Sequence, residues 1–140
     1  MRAGRRVLVA TDHERRPDTA LRAAADLAGD GGEVVLAAVL VVPHSQPLDA
    51  ALDRAVSSAC GMLDDAERAS ALPPGAFDTR LVRARSFAEG VLETLAAERF
   101  EAVLVEKRGG APTLDGAAQI HAILEKARPI VMLVRPARAE

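Results

Sequence analysis

The segment at residues 105–120, VEKRGGAPTLDGAAQI, holds side chains whose types are suited to ligand chemistry. Lys107 and Arg108 are cations that can neutralise an anion. Gly109 and the glycine after it can turn their backbone amides toward that anion and form a nest. The same composition is also typical of a solvated basic turn, which is the simpler interpretation. From this segment alone, both interpretations stay open.

Other polar residues follow predicted strands and form a second set of candidates. Asp12 and His13 come after the first apolar run, His44 after the second, and Arg83 and Arg85 after the third. The Asp12 carboxylate can accept hydrogen bonds from a ligand, or cap the turn that follows it. A two-histidine metal or acid–base site is conceivable chemistry. The spacing does not support one, so we expect exposed loop histidines.

Apolar runs alternate with helical periodicity along the chain, and these elements must position the candidates. Strands are predicted at residues 6–10, 34–42, 77–82, 102–105 and 129–134. Gly29 marks a helix end, and SFAE at residues 86–89 is a capping box that opens a helix. Strands apolar on both faces, each linked by a helix, predict an α/β fold. We therefore expect one domain, residues 1–140, with a five-stranded parallel sheet and helices on both faces.

Two helices carry further expectations. The apolar stripe of the second helix begins at Leu48 and continues to Ala66, and Cys60 falls inside this pattern. Cys60 is therefore expected to be a small buried hydrophobic residue rather than a reactive thiol. His121 lies beside the Ile120 stripe of the last helix and is expected to be partly packed.

Composition excludes several function classes. A net charge of −2 and only three aromatic residues argue against wholesale nucleic-acid binding. One cysteine excludes an internal disulfide and any multi-cysteine metal site. The apolar runs are too short for a signal sequence or a membrane span, so a cytoplasmic protein is expected.

The chain has no Walker lysine followed by a hydroxyl residue and no Gly-x-Ser-x-Gly elbow. LVRARS after the third strand lacks the aspartate of a receiver domain.

Several segments together resemble the universal stress protein family over essentially the whole chain. They are RVLVATD, the apolar second strand, the capped third helix, the glycine-bearing loop after the fourth strand, and RPIVMLVRP. The resemblance lies in their order and spacing, since no single motif is diagnostic. It implies a five-stranded parallel sheet and a dimer. It also implies one of two classes, members that bind ATP and members that do not.

In the ATP-binding members, the loop after strand four reads Gly, two residues, Gly, nine residues, Gly, then Ser or Thr. Carried over here, the first glycine falls on Glu106, the second on Gly109 and the third on Gly116, followed by Ala117. The second interval is about three residues short. A carboxylate at Glu106 adds bulk and repels phosphate. The missing hydroxyl removes a hydrogen bond worth about 1.5–3 kcal/mol to a charged acceptor. The resemblance thus implies a degraded phosphate loop.

The adenosine end of such a crevice has a better match. Asp12 corresponds to the family's aspartate after the first strand, which contacts adenine or ribose in the ATP binders. The nucleotide crevice implied by the resemblance comprises Asp12, Val42, Lys107, Arg108, Gly109, Gly116 and Ala117. No catalytic or metal-ligating residue is predicted.

We expect a non-enzymatic binding or regulatory dimer of the stress response, with no cofactor and without strong ATP binding. One alternative is an adenine-nucleotide binder, for ATP or AMP, with weak hydrolysis. Another is a regulatory module that serves a partner protein. PIVMLV is apolar, and in the strand order that the resemblance implies it lies at the sheet edge. A homodimer is therefore predicted through Val131, Met132, Leu133 and Val134, with no nucleic acid and no membrane span.

Overall fold

The computed structural model describes residues 4–12, 15–106 and 114–135, with only the backbone of residues 114–116. These ranges form a five-stranded, wholly parallel sheet with helices on both faces, which confirms the predicted fold class. The strands are β1 (Arg6–Asp12), β2 (Glu33–Val41), β3 (Phe77–Ala84), β4 (Ala102–Glu106) and β5 (Ile130–Val134). The helices are α1 (Asp18–Ala28), α2 (Asp53–Ala69), α3 (Phe87–Ala97) and α4 (Leu114–Lys126).

The strands lie in the order β3-β2-β1-β4-β5, so β3 and β5 are the two edges. Helices α1 and α2 cover one face, and α3 and α4 cover the other. Alternate residues of the central strands enter opposite cores, as the two-residue period of a strand requires. Val9 and Leu36 pack under α1 and α2, whereas Leu8 and Val35 pack under α3 and α4. Double-sided burial explains why these strands read as continuous apolar runs.

Two predicted helix boundaries are confirmed. Gly29 ends α1 with φ of +70°, a conformation that glycine adopts without steric cost, and its N–H donates to the Ala25 carbonyl at 3.2 Å. Ser86 precedes α3, and its Oγ accepts a hydrogen bond from the Glu89 N–H at 3.1 Å. Among the helices in the described ranges, none has the length and apolar character needed to cross a membrane.

The second helix begins later than its apolar stripe predicts. Leu48 lies before α2, which starts at Asp53, and its side chain is exposed. Two successive turns occupy the intervening chain, with the Gln46 N–H donating to the Pro43 carbonyl and the Ala50 N–H to the Pro47 carbonyl. Each turn begins at a proline, and its hydrogen bond uses backbone groups that a longer helix would need.

The expectation that Cys60 is buried is wrong. The buried residues of α2 are Ala59, Met62, Leu63 and Ala66, and the Cys60 thiol is exposed. Successive helical residues are about 100° apart, so Cys60 lies next to the buried stripe without belonging to it.

Helix α3 approaches the sheet most closely at Gly90. A Cβ added there would lie 2.6 Å from Cγ1 of Val39 and 3.3 Å from Cβ of Ala84. Val39 is fully buried and has a stiff side chain, so it has little room to give way. The absence of a side chain at Gly90 therefore sets the distance between α3 and β2.

A network of ion pairs covers the amino-terminal end of the sheet. Glu98 Oε1 lies 2.7 Å from Arg6 Nη2 and 2.8 Å from Arg80 Nη2. Arg6 Nε lies 3.1 Å from Glu33 Oε2, and Arg80 Nη1 lies 2.6 Å from Asp78 Oδ2. Hydrogen bonds from Arg80 and then Arg6 hold the pKa of Glu98 below its ordinary value of 4.5. Arg80 likewise lowers the pKa of Asp78.

This network predicts acid-sensitive stability. Carboxyl groups whose pKa is lower in the folded chain stabilise it above their unfolded pKa, and that stabilisation disappears as pH falls through the folded value. We expect the free energy of unfolding to decrease as the pH is lowered below about 4.5, the ordinary pKa of a Glu side chain. Glu98→Gln should lower stability at neutral pH and weaken this pH dependence, as measured by urea denaturation at several pH values. Glu67→Gln, at an exposed α2 position, is the control, and an equal effect of both variants would contradict the prediction.

Candidate functional site

The carboxyl ends of β1 and β4 meet where the strand order reverses, which is the usual ligand position in an open parallel sheet. Asp12 ends β1 and Glu106 ends β4, and the adjacent strands are in register with Ala10 opposite Val105. On the other side of β1, Asp12 is opposite Val39 of β2. The fold therefore brings the polar ends of two strands together at this point.

Asp12 and Val41 lie on the face of the sheet that α3 and α4 cover. Leu8 and Ala10 belong to that core, so Asp12, two residues further along β1, faces the same way. The same alternation from Val39 places Val41 on this face, where its side chain is 48% exposed. An acidic residue and an exposed apolar residue thus lie at the ends of neighbouring strands. This combination suits a ligand with an apolar ring and polar substituents.

Val42 has a different environment from its neighbour Val41. Its side chain is fully buried, and its N–H donates to the Ala84 carbonyl at 2.8 Å. Both its side chain and its amide are therefore engaged within the fold. The Val42 carbonyl, directly after β2, accepts a hydrogen bond from Nη1 of Arg85 at 3.5 Å.

The Glu106 side chain points to the opposite face and caps α1. Its Oε1 accepts a hydrogen bond from the Ala20 N–H at 3.0 Å, across 86 residues of sequence. Ala20 is in the first turn of α1, whose own preceding residue, Pro17, makes no side-chain cap. A carboxylate at a helix N-terminus satisfies an otherwise unpaired donor and interacts favourably with the helix dipole. Glu106 therefore occupies the position where a bound anion would meet α1.

The N-terminus of α3 also has acceptors within the chain. Besides the Ser86 cap, the Ala88 N–H donates to Oε1 of Gln119 at 2.8 Å, which links α3 to α4. In the described part of the chain, both α1 and α3 thus have side-chain acceptors at the end where an anion would approach. Sequence reasoning missed Glu106 and Gln119 as caps because each is far in sequence from the helix it serves.

Arg85 follows β3 as predicted, whereas Arg83 lies within β3, which continues to Ala84, two residues beyond the predicted strand. Both side chains anchor the segment that leads to α2. Arg83 Nη1 donates to the Ala50 carbonyl at 2.6 Å. Arg85 Nη1 donates to the carbonyls of Pro43 and Gln46, each at 2.7 Å. These bonds fix the loop between β2 and α2 at the rim of the strand ends. Their described role is structural.

Several predicted site residues lie outside the described residues, namely His13, Lys107, Arg108 and Gly109. Gly116 and Ala117 lie in the first turn of α4, and Ala117 is exposed. The assignment of these residues to a phosphate loop stays a prediction.

Of the two histidines that formed the candidate metal or acid–base pair, only His44 belongs to the described residues. His44 is exposed, and no cluster of three or more metal-ligating side chains occurs among the residues described. The expectation that His121 is partly packed is wrong, because its side chain is exposed. Its Nε2 lies 3.4 Å from Oε1 of Glu125. One turn along a helix separates these two residues, so they meet on its outer face.

A family profile described as the Universal stress protein family matches residues 4–135. The fold is similar to that of a universal stress protein family member from Burkholderia pseudomallei, with 23% identity, a TM-score of 0.67, and coverage of 94% of this chain and 96% of that one. No curated protein matches this chain significantly.

Two further similar structures contain nucleotides. One is the universal stress protein from Archaeoglobus fulgidus in complex with dAMP, with 18% identity, a TM-score of 0.66, and coverage of 93% and 97% of the two chains. The other is a universal stress protein in complex with cAMP, with 18% identity, a TM-score of 0.58, and coverage of 97% and 100%. At these identities the likeness concerns the fold.

The capping role of Glu106 is directly testable. Glu106→Ala should lower the free energy of unfolding by about 1 kcal/mol, the typical cost of losing a side-chain cap. Glu106→Gln retains an acceptor oxygen and should lose less. Urea denaturation measures both. Glu93→Ala, at an exposed position of α3, is the control and should change stability little. Unchanged stability of Glu106→Ala would show that the Ala20 N–H is satisfied without this carboxylate.

Proposed function

The chain belongs to the universal stress protein family, and we propose that it acts there as a non-enzymatic, ligand-binding regulator that binds ATP weakly. The observation that supports this most is the Glu106 carboxylate, which already occupies the N-terminus of α1 beside the strand-order reversal. A triphosphate that extends from Asp12 across the strand ends toward α1 would approach the negative charge of Glu106. It would also have to do without the α1 amide that Glu106 binds.

The adenosine end of the crevice has features that suit a nucleoside. The Asp12 carboxylate can accept hydrogen bonds from ribose or adenine, and the exposed Val41 side chain offers an apolar surface for a base. The two similar structures with nucleotides hold cAMP and dAMP, which each carry one phosphate. By this reasoning, the ligand of this chain is a nucleoside or a nucleoside monophosphate rather than ATP.

Titration calorimetry with adenosine, AMP and ATP tests the proposal. ATP should bind no tighter than about 1 mM, equivalent to about 4 kcal/mol. Adenosine or AMP should bind as well as ATP or better. Asp12→Ala should weaken binding of all three, because it removes the acceptor that they share. Glu106→Ala should strengthen ATP binding selectively, because it removes one negative charge and frees the Ala20 amide.

The controls separate the two ends of the crevice. Glu93→Ala changes the net charge equally at a remote helix position and should leave every affinity unchanged. A micromolar dissociation constant for ATP with the unmodified chain would contradict weak ATP binding and favour a nucleotide-hydrolysing member. If no nucleoside binds, Asp12 is only a turn-forming residue and has no role in ligand binding.

The second part of the proposal is a homodimer built on the β5 edge. Ile130, Met132 and Leu133 are 68%, 42% and 47% exposed, although all three are large and apolar. Val131 and Val134 instead pack against the cores of their own chain. On the described chain, β5 pairs only with β4, which leaves one row of its backbone groups for another strand. A two-fold pairing of β5 with its copy would satisfy that row and cover the apolar side chains.

Light scattering tests this dimer. Met132→Lys and Leu133→Lys should each lower the measured mass from dimer to monomer, because each would bury a charge without a partner. Leu81→Lys is the matched control, since Leu81 is an exposed apolar residue on the opposite edge strand. A monomeric unmodified chain at high micromolar concentration would contradict the proposal. A loss of mass only in Leu81→Lys would assign the interface to β3.

A further inference from the structure

The two helix layers differ in how closely their helices approach each other. Helices α3 and α4 contact each other over the sheet, whereas a groove of about 570 Å³ lies between α1 and the end of α2. Ligand pockets commonly enclose about 300–1,000 Å³. The groove is on the other face of the sheet from Asp12 and Val41, so it is distinct from the nucleotide crevice.

Apolar side chains line the interior of this groove. They come from α1, the end of α2, the segment between α2 and β3, and the first residues of β2 and β3, and include Leu21, Ala25, Val34, Ala66, Leu72 and Phe77. Alanines at the facing positions of the two helices explain why the space stays open, because longer side chains there would fill it. The interior is thus suited to an apolar chain rather than a polar ligand.

One end of the groove has a defined structure. The Leu72 N–H donates to Oγ of Ser70 at 3.2 Å, and the Ala76 N–H donates to the Pro73 carbonyl at 3.0 Å. These bonds order the segment between α2 and β3 that closes this end. The groove is therefore bounded by hydrogen-bonded backbone and not only by exposed side chains.

The rim of the groove is basic. Arg16 Nε lies 2.5 Å from Oδ1 of Asp18, so these two charges are matched. Arg22 also lines the rim, and no ion pair or hydrogen bond engages its side chain within the described ranges. Arg22 follows Leu21 on α1, so an unmatched cation lies next to the apolar interior. The three lining charges sum to +1.

We propose that this groove binds a single-chain amphiphilic carboxylate, such as a medium-chain fatty acid. The acyl chain would lie between α1 and α2 over the Phe77 ring, and the carboxylate would pair with Arg22. From Asp18 to Ala25 the α1 wall is about 10 Å long, which suits a chain of medium length. Charge complementarity at Arg22 favours a carboxylate over a neutral apolar molecule.

Decanoate, used below the concentration at which it forms micelles, is the probe, and calorimetry of the full chain is the measurement. Arg22→Gln should weaken decanoate binding about threefold, as expected for an exposed ion pair. Ala69→Leu places a larger side chain at an exposed position of the groove wall and should abolish binding. Arg68→Gln and Ala97→Leu are matched controls at exposed helix positions that do not line the groove. Circular dichroism checks that every variant is folded.

The expected result is saturable decanoate binding that both groove variants reduce and both controls retain. Decanol, which has a similar chain and no charge, should bind more weakly to the unmodified chain. Equal binding of decanol and decanoate would overturn the assignment of a carboxylate ligand. Absence of decanoate binding, or binding that Ala69→Leu does not alter, would overturn the site itself. AMP titrations of the same variants should be unchanged, so this result is independent of the nucleotide proposal.

Discussion

Burial of the three central strands on both faces constrains where this chain can place charge. An ion enclosed without a partner costs several kcal/mol, so charged residues are confined to strand ends and sheet edges. The sequence follows this constraint closely. In β1 the charges are Arg6 and Asp12, in β2 the only charge is Glu33, and in β4 it is Glu106, and each is a terminal residue of its strand. Interior positions of these strands are apolar or, at Thr11, neutral.

The two ends of the sheet use their charges differently. At the amino-terminal end, Arg6 and Glu33 join Arg80 and Glu98 in a network of opposite charges. At the carboxyl-terminal end, the Glu106 carboxylate accepts a hydrogen bond from the backbone N–H of Ala20 and caps the terminus of α1. An end whose ions are mutually paired has little to offer a ligand. An end whose groups cap helices can exchange an internal partner for an external one.

The sequence predicted the parts of this structure that depend on local pattern. Strand positions and the Ser86 and Gly29 boundaries follow from neighbouring residues, so they were recovered, and the edge position of β5 followed from the family resemblance. The burial of Cys60 was predicted wrongly because an apolar stripe identifies a helix face more reliably than the position of each residue on it.

The remaining features depend on contacts between distant segments. When only its sequence neighbours are considered, Glu106 looks like a substitution that disrupts a phosphate loop. Its hydrogen-bond partner, the Ala20 N–H, is 86 residues away. Only the alternation of β4 could have indicated this, since it directs residues 102, 104 and 106 to the α1 face. Val131 and Val134 were predicted to contribute to the dimer interface, and both pack against the cores of their own chain. An apolar run does not specify which residues of an edge strand face the core.

The close approach at Gly90 has a consequence for the way the molecule can move. Most helices rest on a sheet through side chains, which can change rotamer and let the helix roll or slide. Helix α3 rests on β2 partly through its own backbone against the stiff, buried Val39 side chain, which has little room to relieve a displacement. Rolling or sliding of α3 over β2 is therefore restricted at this point of contact. In the layer of α1 and α2, a Cβ added at Gly61 of α2 would meet nothing within 4 Å, so this glycine makes no comparable backbone contact with the sheet. The restraint at Gly90 therefore acts on the side of the sheet that α3 covers.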